Sequence, residues 1–111
     1  MTKSTVGTHI TVDLIDCDEP SEEKIFFAAE QVADKVGLKI LGSRSHSFDP
    51  HGQTAVFLLS ESHMSFHTWP EKRFIAFDLF SCGNDPYLSV DILNKIFDPK
   101  DQRVNIIYRG K

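Results

Sequence analysis

The sequence predicts an α+β fold, a two-layer sandwich in which two helices lie on one face of an antiparallel or mixed β-sheet. Three observations lead to this prediction. Several segments alternate with period two, only two segments carry apolar residues at helical spacing, and strand segments follow one another between those two. Helices that are sparse among adjacent strands are typical of such a sandwich. The uncovered sheet face and the sheet edges need partners, so we expect a homodimer.

The first part of the chain predicts a strand followed by a helix. Thr8 to Ile15 alternates and is rich in β-branched residues, which indicates a strand. Pro20 offers a fixed φ for a first helical turn, and Gly37 stands where a left-handed residue ends a helix. Between them, apolar residues recur at helical spacing: Ile25, Ala28, Ala29, Val32 and Val36.

The middle of the chain predicts consecutive strands. An extended pattern resumes at residues 38–41, and residues 49–52 (Asp-Pro-His-Gly) have the composition of a turn. The apolar runs 54–60 and 74–80 are consistent with buried strands. Several strands in a row, with no helix between them, indicate an antiparallel or mixed sheet.

A second helix and a last strand complete the prediction. Asp85 before Pro86 is a good helix start, and residues 104–108 read as a closing strand. Apolar residues between them stand three and four apart: Val90, Leu93 and Phe97. The length of 111 residues favours one domain over residues 1–111.

Composition excludes several classes of protein. Twelve basic residues against sixteen acidic ones give a net charge of -4, which argues against nucleic-acid binding. No apolar run approaches the roughly 20 residues of a membrane span, and residues 1–5 do not resemble a secretory signal. Cys17 and Cys82 are too few for a disulfide scaffold, so a reducing cytoplasm is expected.

Residues 61–71 carry most of the polar chemistry of the chain. Two His, two Ser, one Thr and two Glu follow directly after an apolar run. Polar groups near a core are costly unless they are satisfied or used. The simplest interpretation is an exposed strand whose His63, Ser65 and His67 face water.

A metal site is one alternative for this segment. His63 and His67 would share a face if the segment were helical, and could then bind zinc. Pro70 and the low helix propensity oppose this, and no third ligand has a familiar spacing. The other histidines are free candidates only: His9, His46 and His51. We therefore assign no metal ligand.

Two further alternatives use Ser62 as a nucleophile. In a hydrolase, Ser62 would pair with His67 as its base, although no Gly-x-Ser-x-Gly motif is present. Alternatively, the Ser62 hydroxyl attacks the carbonyl of Glu61 and converts the amide into an ester. Removal of the Ser62 α-proton would then eliminate the ester, and the dehydroalanine would hydrolyse to a pyruvoyl group. His67 and Thr54 could supply the proton-transfer groups.

Segments along nearly the whole chain resemble the prokaryotic S-adenosylmethionine decarboxylase proenzymes. Residues 61–71 (ESHMSFHTWPE) resemble the family's self-cleavage signature. Other segments match in order and with compatible spacing, namely residues 7–14 (GTHITVDL), Cys17, residues 46–52 (HSFDPHG), residues 77–83 (FDLFSCG) and Arg109-Gly110.

The resemblance implies a self-processing, pyruvoyl-dependent decarboxylase. Cleavage between Glu61 and Ser62 would give a β chain of residues 1–61 and an α chain of residues 62–111, and Ser62 would become the pyruvoyl cofactor. That group accepts the electrons released by decarboxylation, as a pyridoxal cofactor would. The product would supply aminopropyl groups for polyamine (spermidine) synthesis. The processed protomers would form a dimer with active sites near the interface.

The resemblance also implies roles for single residues. His67 would be the acid or base that handles the ester intermediate, and Thr54 would support the acyl shift. Cys82 would donate a proton to the substrate carbon after carbon dioxide leaves. Three residues fall at family positions near the substrate, where aromatic rings could stack on an adenine and a carboxylate could meet a hydroxyl or amine: Phe48, Trp69 and Glu71.

Departures from the family pattern lie around substrate binding. Residues 15–19 and 72–74 replace an aromatic-Gly-Cys step and a Tyr-Gly-Tyr step. An arginine or ornithine decarboxylase with the same pyruvoyl chemistry is therefore an alternative, in which Asp16, Asp18 and Glu19 are spare carboxylates for a basic substrate. An unprocessed ligand- or metal-binding module is the alternative of another class.

Overall fold

A computed structural model describes residues 6–110, which form six strands, two α-helices and two short 3-10 turns. In chain order the elements are β1 (Gly7–Ile15), α1 (Glu22–Val36), β2 (Ile40–Ser47), β3 (Gln53–Leu59), β4 (Ser62–Trp69), a 3-10 turn (Pro70–Lys72), β5 (Phe74–Ser81), a second 3-10 turn (Pro86–Leu88), α2 (Ser89–Phe97) and β6 (Asp101–Arg109). No helix within residues 6–110 is long and apolar enough to cross a membrane.

One six-stranded sheet holds all the strands, in the order β2-β3-β4-β5-β1-β6. Every neighbouring pair is antiparallel. The helices pack on a single face, so the predicted α+β sandwich is confirmed, and the sheet is antiparallel rather than mixed. The central strands β4, β5 and β1 therefore have hydrogen-bonded neighbours on both sides.

The core lies between the helices and this covered face. Phe57, Phe66 and Phe77 come from three adjacent strands and are almost fully buried, and the Phe66 and Phe77 ring centroids lie 4.9 Å apart. Helix α1 contributes an apolar stripe that includes Ile25 and Val32. Burial of each such side chain is worth about 1.5–3 kcal/mol, so this layer fixes which face of each strand points inward.

The opposite face of the sheet, which we term the open face, carries no helix in the described part of the chain. The run 54–60 was predicted to be buried, and this is wrong for its alternate residues. Ala55, Phe57 and Leu59 are buried, whereas Val56 and Leu58 are 44% and 58% exposed on the open face. The run is continuous in hydrophobicity, but a sandwich with one helical layer buries only every second residue.

The ends of α1 differ in part from the prediction. Pro20 is not in the first turn, because Ser21 is the N-cap and its side chain accepts a hydrogen bond from the Lys24 amide. Gly37 ends the helix as predicted, in the left-handed region at φ 88. At the second helix, Asp85 accepts a hydrogen bond from the Tyr87 amide and caps the 3-10 turn that leads into α2.

Candidate active site

The polar segment of residues 61–71 contains strand β4, and its histidines lie on the open face. His63 is exposed there, while Ser65 and His67 are half-buried. The strand excludes the alternative in which His63 and His67 bind zinc as a pair, because that alternative required a helix. On a strand, four residues span about 13 Å, which is too far for two ligands of one ion.

The Glu61–Ser62 peptide bond lies at the turn of the β3–β4 hairpin. Leu59 pairs with Ser62, so Ser60 and Glu61 form the turn. The Ser60 amide donates a 2.9 Å hydrogen bond to the Lys39 carbonyl, which holds the turn against the loop after α1. Glu61 is exposed, and β4 begins at Ser62. The Ser62 hydroxyl and the Glu61 carbonyl therefore lie at the start of β4 rather than in its middle.

The Ser62 hydroxyl is buried, and no group among residues 6–110 hydrogen-bonds to it. An unsatisfied buried hydroxyl costs about 1–3 kcal/mol, so such groups are rare and call for an explanation. A hydroxyl held in no hydrogen bond is free to turn toward a neighbouring carbonyl. The Ser62 environment therefore suits attack on the Glu61 carbonyl.

Ser62 borders a cavity of about 550 Å³ at one end of the open face. The cavity is also lined by Leu58, Phe80 and Arg109, and the Arg109 guanidinium lies 5.4 Å from the centroid of the Phe80 ring. Sequence reasoning did not assign Phe80 to the site and gave Arg109 no role. Their alternation within β5 and β6 marks them as open-face residues, but only the strand order shows that they lie near Ser62.

Cys82 lies at the same end of the sheet as Ser62. The last paired residues of β4 and β5 are His63 and Phe80. β5 ends at Ser81, and Cys82 follows it directly in a bend. Cys82 is half-buried and free.

Cys17 lies at the opposite end of the sheet, beyond the last residue of β1. It is 2% exposed, and burial raises the pKa of its thiol. Cys17 is therefore a residue of the core. The two cysteines do not form a pair, because the length of β1 separates them.

Thr54 and His67 form a cross-strand pair on the open face. The Thr54 hydroxyl and the His67 Nδ1 are 3.0 Å apart. Five residues along β4 separate His67 from Ser62, a distance of about 16 Å. The Ser62–His67 contact that a hydrolase needs is therefore not formed within one chain, and His67 cannot reach the Ser62 of its own protomer.

A second cavity, of about 300 Å³, contains the residues expected to bind substrate. Phe48, Trp69 and Glu71 line it together with Thr54 and His67. Phe48 and Trp69 are 51% and 40% exposed, so they are not core residues. The predicted turn at residues 49–52 is present, and the Phe48 amide donates a 2.8 Å hydrogen bond to the Gly52 carbonyl.

Glu71 is held by a neighbouring histidine at the rim of this cavity. A Glu71 carboxylate oxygen lies 3.5 Å from the His51 Nδ1. Both side chains are about half exposed. The Glu71 carboxylate is therefore close to the aromatic rings without being buried among them.

The carboxylates considered for a basic substrate are not all free. The Arg73 guanidinium donates hydrogen bonds to Asp16 at 2.7 Å and to Asp18 at 2.8 Å. The hydrogen bond from Arg73 lowers the pKa of Asp16. These groups lie where Ile15 pairs with Phe74, at the opposite end of β1 from Ser62. The expectation that Asp16 and Asp18 are spare is wrong.

The fold and the site define a class: a small α+β protein with an unpaired serine hydroxyl at a hairpin turn and a free thiol just after the next strand. Residues 8–110 match the family model described as S-adenosylmethionine decarboxylase. The chain therefore belongs to the S-adenosylmethionine decarboxylase family, as the sequence motifs predict.

Individual relatives agree with the family model over almost the full chain. The S-adenosylmethionine decarboxylase proenzyme 2 of one Bacillus cereus strain is 38% identical, covering 99% of this chain and 94% of that protein. The proenzyme of Fervidobacterium nodosum is 40% identical, covering 96% and 82%. The crystal structure of the adenosylmethionine decarboxylase from Aquifex aeolicus VF5 superposes with a TM-score of 0.88 at 32% identity, covering 97% and 93%.

Proposed function

We propose that this chain is a proenzyme that cleaves itself between Glu61 and Ser62 and then decarboxylates S-adenosylmethionine with a pyruvoyl group derived from Ser62. The observation that carries the proposal is the buried, unpaired Ser62 hydroxyl at a hairpin turn. Cleavage at a turn removes no pairing between β3 and β4. The fragments 1–61 and 62–111 would therefore remain in one sheet.

Cleavage needs only the chain and water. The Ser62 oxygen adds to the Glu61 carbonyl, and the amide becomes an ester as the C–N bond breaks. A base then takes the Ser62 α-proton, and the Glu61 carboxylate leaves as the C–O bond breaks. The dehydroalanine left on residue 62 hydrolyses to a pyruvoyl group and releases ammonia. His67 handles these protons, and Thr54, hydrogen-bonded to it, orients the ring.

A second copy of the chain is required because His67 lies about 16 Å from its own Ser62. In a twofold dimer, residue i meets residue j and residue j meets residue i. An axis that passes β4 midway between Ser62 and His67 therefore brings each serine toward the histidine of the other chain. We propose a homodimer of this kind, with both sites at the interface.

The open face exposes apolar side chains that a second copy of the chain would cover. Besides Val56 and Leu58, Ile107 of β6 is 50% exposed there. Exposed apolar side chains gain free energy when a partner surface covers them. A second copy docking on this face would bury them and would also complete the catalytic site.

The cavity of Phe48, Trp69 and Glu71 suits the nucleoside part of S-adenosylmethionine. The two exposed aromatic rings offer faces for an adenine, and the Glu71 carboxylate can accept hydrogen bonds from ribose hydroxyls. This cavity includes His67, so the dimer that brings His67 to Ser62 brings the cavity with it. The substrate would then bridge the two chains.

After cleavage, the pyruvoyl group supplies an electron-accepting carbonyl at residue 62. Cys82, at the same end of the sheet as Ser62, would give a proton to the substrate carbon once carbon dioxide has left. Phe80 and Leu58 keep that end of the open face apolar. The product would supply aminopropyl groups for spermidine synthesis, and the two free cysteines suit a reducing cytoplasm.

The choice of substrate is tested by incubating the cleaved protein with carboxyl-labelled S-adenosylmethionine, arginine and ornithine and measuring labelled carbon dioxide. Because Arg73 engages Asp16 and Asp18, we expect carbon dioxide release from S-adenosylmethionine only. Release from arginine or ornithine alone would contradict the proposal.

Replacing Trp69 by Ala should raise the KM for S-adenosylmethionine. Phe27→Ala, which removes an exposed ring on α1, is the control and should leave this KM unchanged.

A further inference from the structure

The open face carries a cluster of metal-ligand side chains that the proposed reaction does not use. His9 on β1, His63 on β4 and Asp78 on β5 each offer one ligand atom, and these atoms all lie within 4.8 Å of one another. The His9 Nε2 is 2.7 Å from an Asp78 carboxylate oxygen. No other such group of three or more ligand residues occurs within residues 6–110.

We propose that His9, His63 and Asp78 form a binding site for a zinc-class divalent cation. Two imidazoles and one carboxylate are a donor set that zinc accepts, with bonds near 2.0–2.2 Å. Tetrahedral ligands of zinc stand about 3.3 Å apart. The His9 Nε2 and the Asp78 oxygen, now 2.7 Å apart, need to separate by about 0.6 Å to admit the ion, and the exposed His63 side chain needs to move by about 1.5 Å at most.

Neighbouring groups hold two of the three ligands in position. The Ser65 hydroxyl donates a hydrogen bond to the second Asp78 oxygen, which leaves the first oxygen toward His9. The His9 and His63 rings both pack against Phe80, with centroids 5.8 Å and 6.0 Å from its ring. Hydrogen bonds and packing that orient metal ligands typically strengthen a site. Here they orient ligands that come from three adjacent strands.

The cluster differs from the zinc pair considered from sequence. That pair joined His63 to His67 along one helix, whereas the strand order joins His63 to residues distant in sequence. Three protein ligands leave a fourth position, which water or a group of a second copy on the open face can fill. Because His63 follows Ser62 directly, a bound cation would fix the chain beside the cleavage site.

The test is calorimetric titration of zinc chloride into the metal-stripped full chain, in a buffer that does not bind zinc. We expect one zinc per chain with micromolar affinity, and a melting temperature that rises with zinc concentration. His63→Gln and Asp78→Asn should each weaken binding at least tenfold. His46→Gln, which removes an exposed histidine outside the cluster, should bind zinc as the unaltered chain does.

The titration is repeated in a Ser62→Ala background, so that its outcome does not depend on cleavage or decarboxylation. Melting temperatures without zinc show whether each variant is folded, and His63→Gln, at an exposed position, keeps the test valid if Asp78→Asn fails to fold. Absence of saturable zinc binding, or equal binding by folded His63→Gln protein, would overturn the proposal.

Discussion

The Ser62 hydroxyl oxygen is buried without a hydrogen-bond partner in the described part of the chain, and the residue before it, Glu61, is exposed. The sequence motif predicts Ser62 as the reacting residue, because it resembles a self-cleavage signature. It could not predict the unpaired hydroxyl, which depends on how β3, β4 and the loop after α1 meet. The sequence therefore offers a candidate residue, and only the structure gives its local environment.

Replacing Ser62 by Ala removes the nucleophile, and we expect cleavage to stop completely. Denaturing electrophoresis after prolonged incubation should show one intact chain. Ser60→Ala, two residues away in the same turn, is the matched control and should cleave normally. Cleavage of the Ser62→Ala chain at the same bond would assign the reaction to another group.

Replacing Cys82 by Ala should separate processing from turnover. The thiol is assigned to the substrate step, so the variant should cleave normally while its kcat for S-adenosylmethionine falls by about 100-fold or more. Cys17→Ala is the control, because Cys17 is buried at the other end of the sheet; it should lower stability and leave turnover intact. Undiminished turnover in Cys82→Ala would remove Cys82 from its role.

Among the elements, the strands and the C-terminal end of α1 were largely predictable, because period-two alternation and Gly37 are local signals. Residues 61–71 left helix and strand open, and the structure decides for a strand because β4 hydrogen-bonds to neighbours on both sides. Which residues meet across strands is set by register, which no local pattern contains. For this reason Arg109 beside Ser62, and His9 beside Asp78, were not predicted.

The C-terminal end of α1 gives a stability prediction. Gly37 has φ 88, and an added Cβ would lie 3.1 Å from the Asn84 Nδ2, which donates a hydrogen bond to the Val36 carbonyl. Gly37→Ala should therefore lower the free energy of unfolding by about 1 kcal/mol, measured by urea denaturation.

Gly42 is the matched control for this substitution. It has no neighbour within 4 Å of an added Cβ, and its φ lies outside the left-handed region. Gly42→Ala should leave the free energy of unfolding within about 0.5 kcal/mol of its original value. Equal effects of the two substitutions would show that the left-handed cap does not matter.

For the molecule as a whole, the central question is how His67 reaches a serine that lies about 16 Å away on the same strand. Ser62 and His67 belong to one sequence motif, but the extended strand β4 holds them far apart in space. A dimer was expected from the open face and from the resemblance. The distance adds a reason for the proposed dimer, since His67 can act on Ser62 only if a second chain supplies it.

Mixed dimers test this arrangement. A Ser62→Ala chain keeps His67, and a His67→Ala chain keeps Ser62. When the two are co-expressed with different tags, the His67→Ala chain should be cleaved, although it stays intact when expressed alone. A Ser62→Ala/His67→Ala partner is the control and should not rescue cleavage. Cleavage of the His67→Ala chain on its own, or no rescue in isolated mixed dimers, would contradict a shared site.

The proposed function depends on self-cleavage at Glu61–Ser62. Intact mass spectrometry of the purified protein detects this cleavage directly. We expect two fragments: residues 1–61 with a free carboxylate, and residues 62–111 with an amino end blocked by a pyruvoyl group. The blocked end should resist Edman degradation and become reactive after reductive amination with ammonia. A single chain of 111 residues that persists through long incubation would contradict the account.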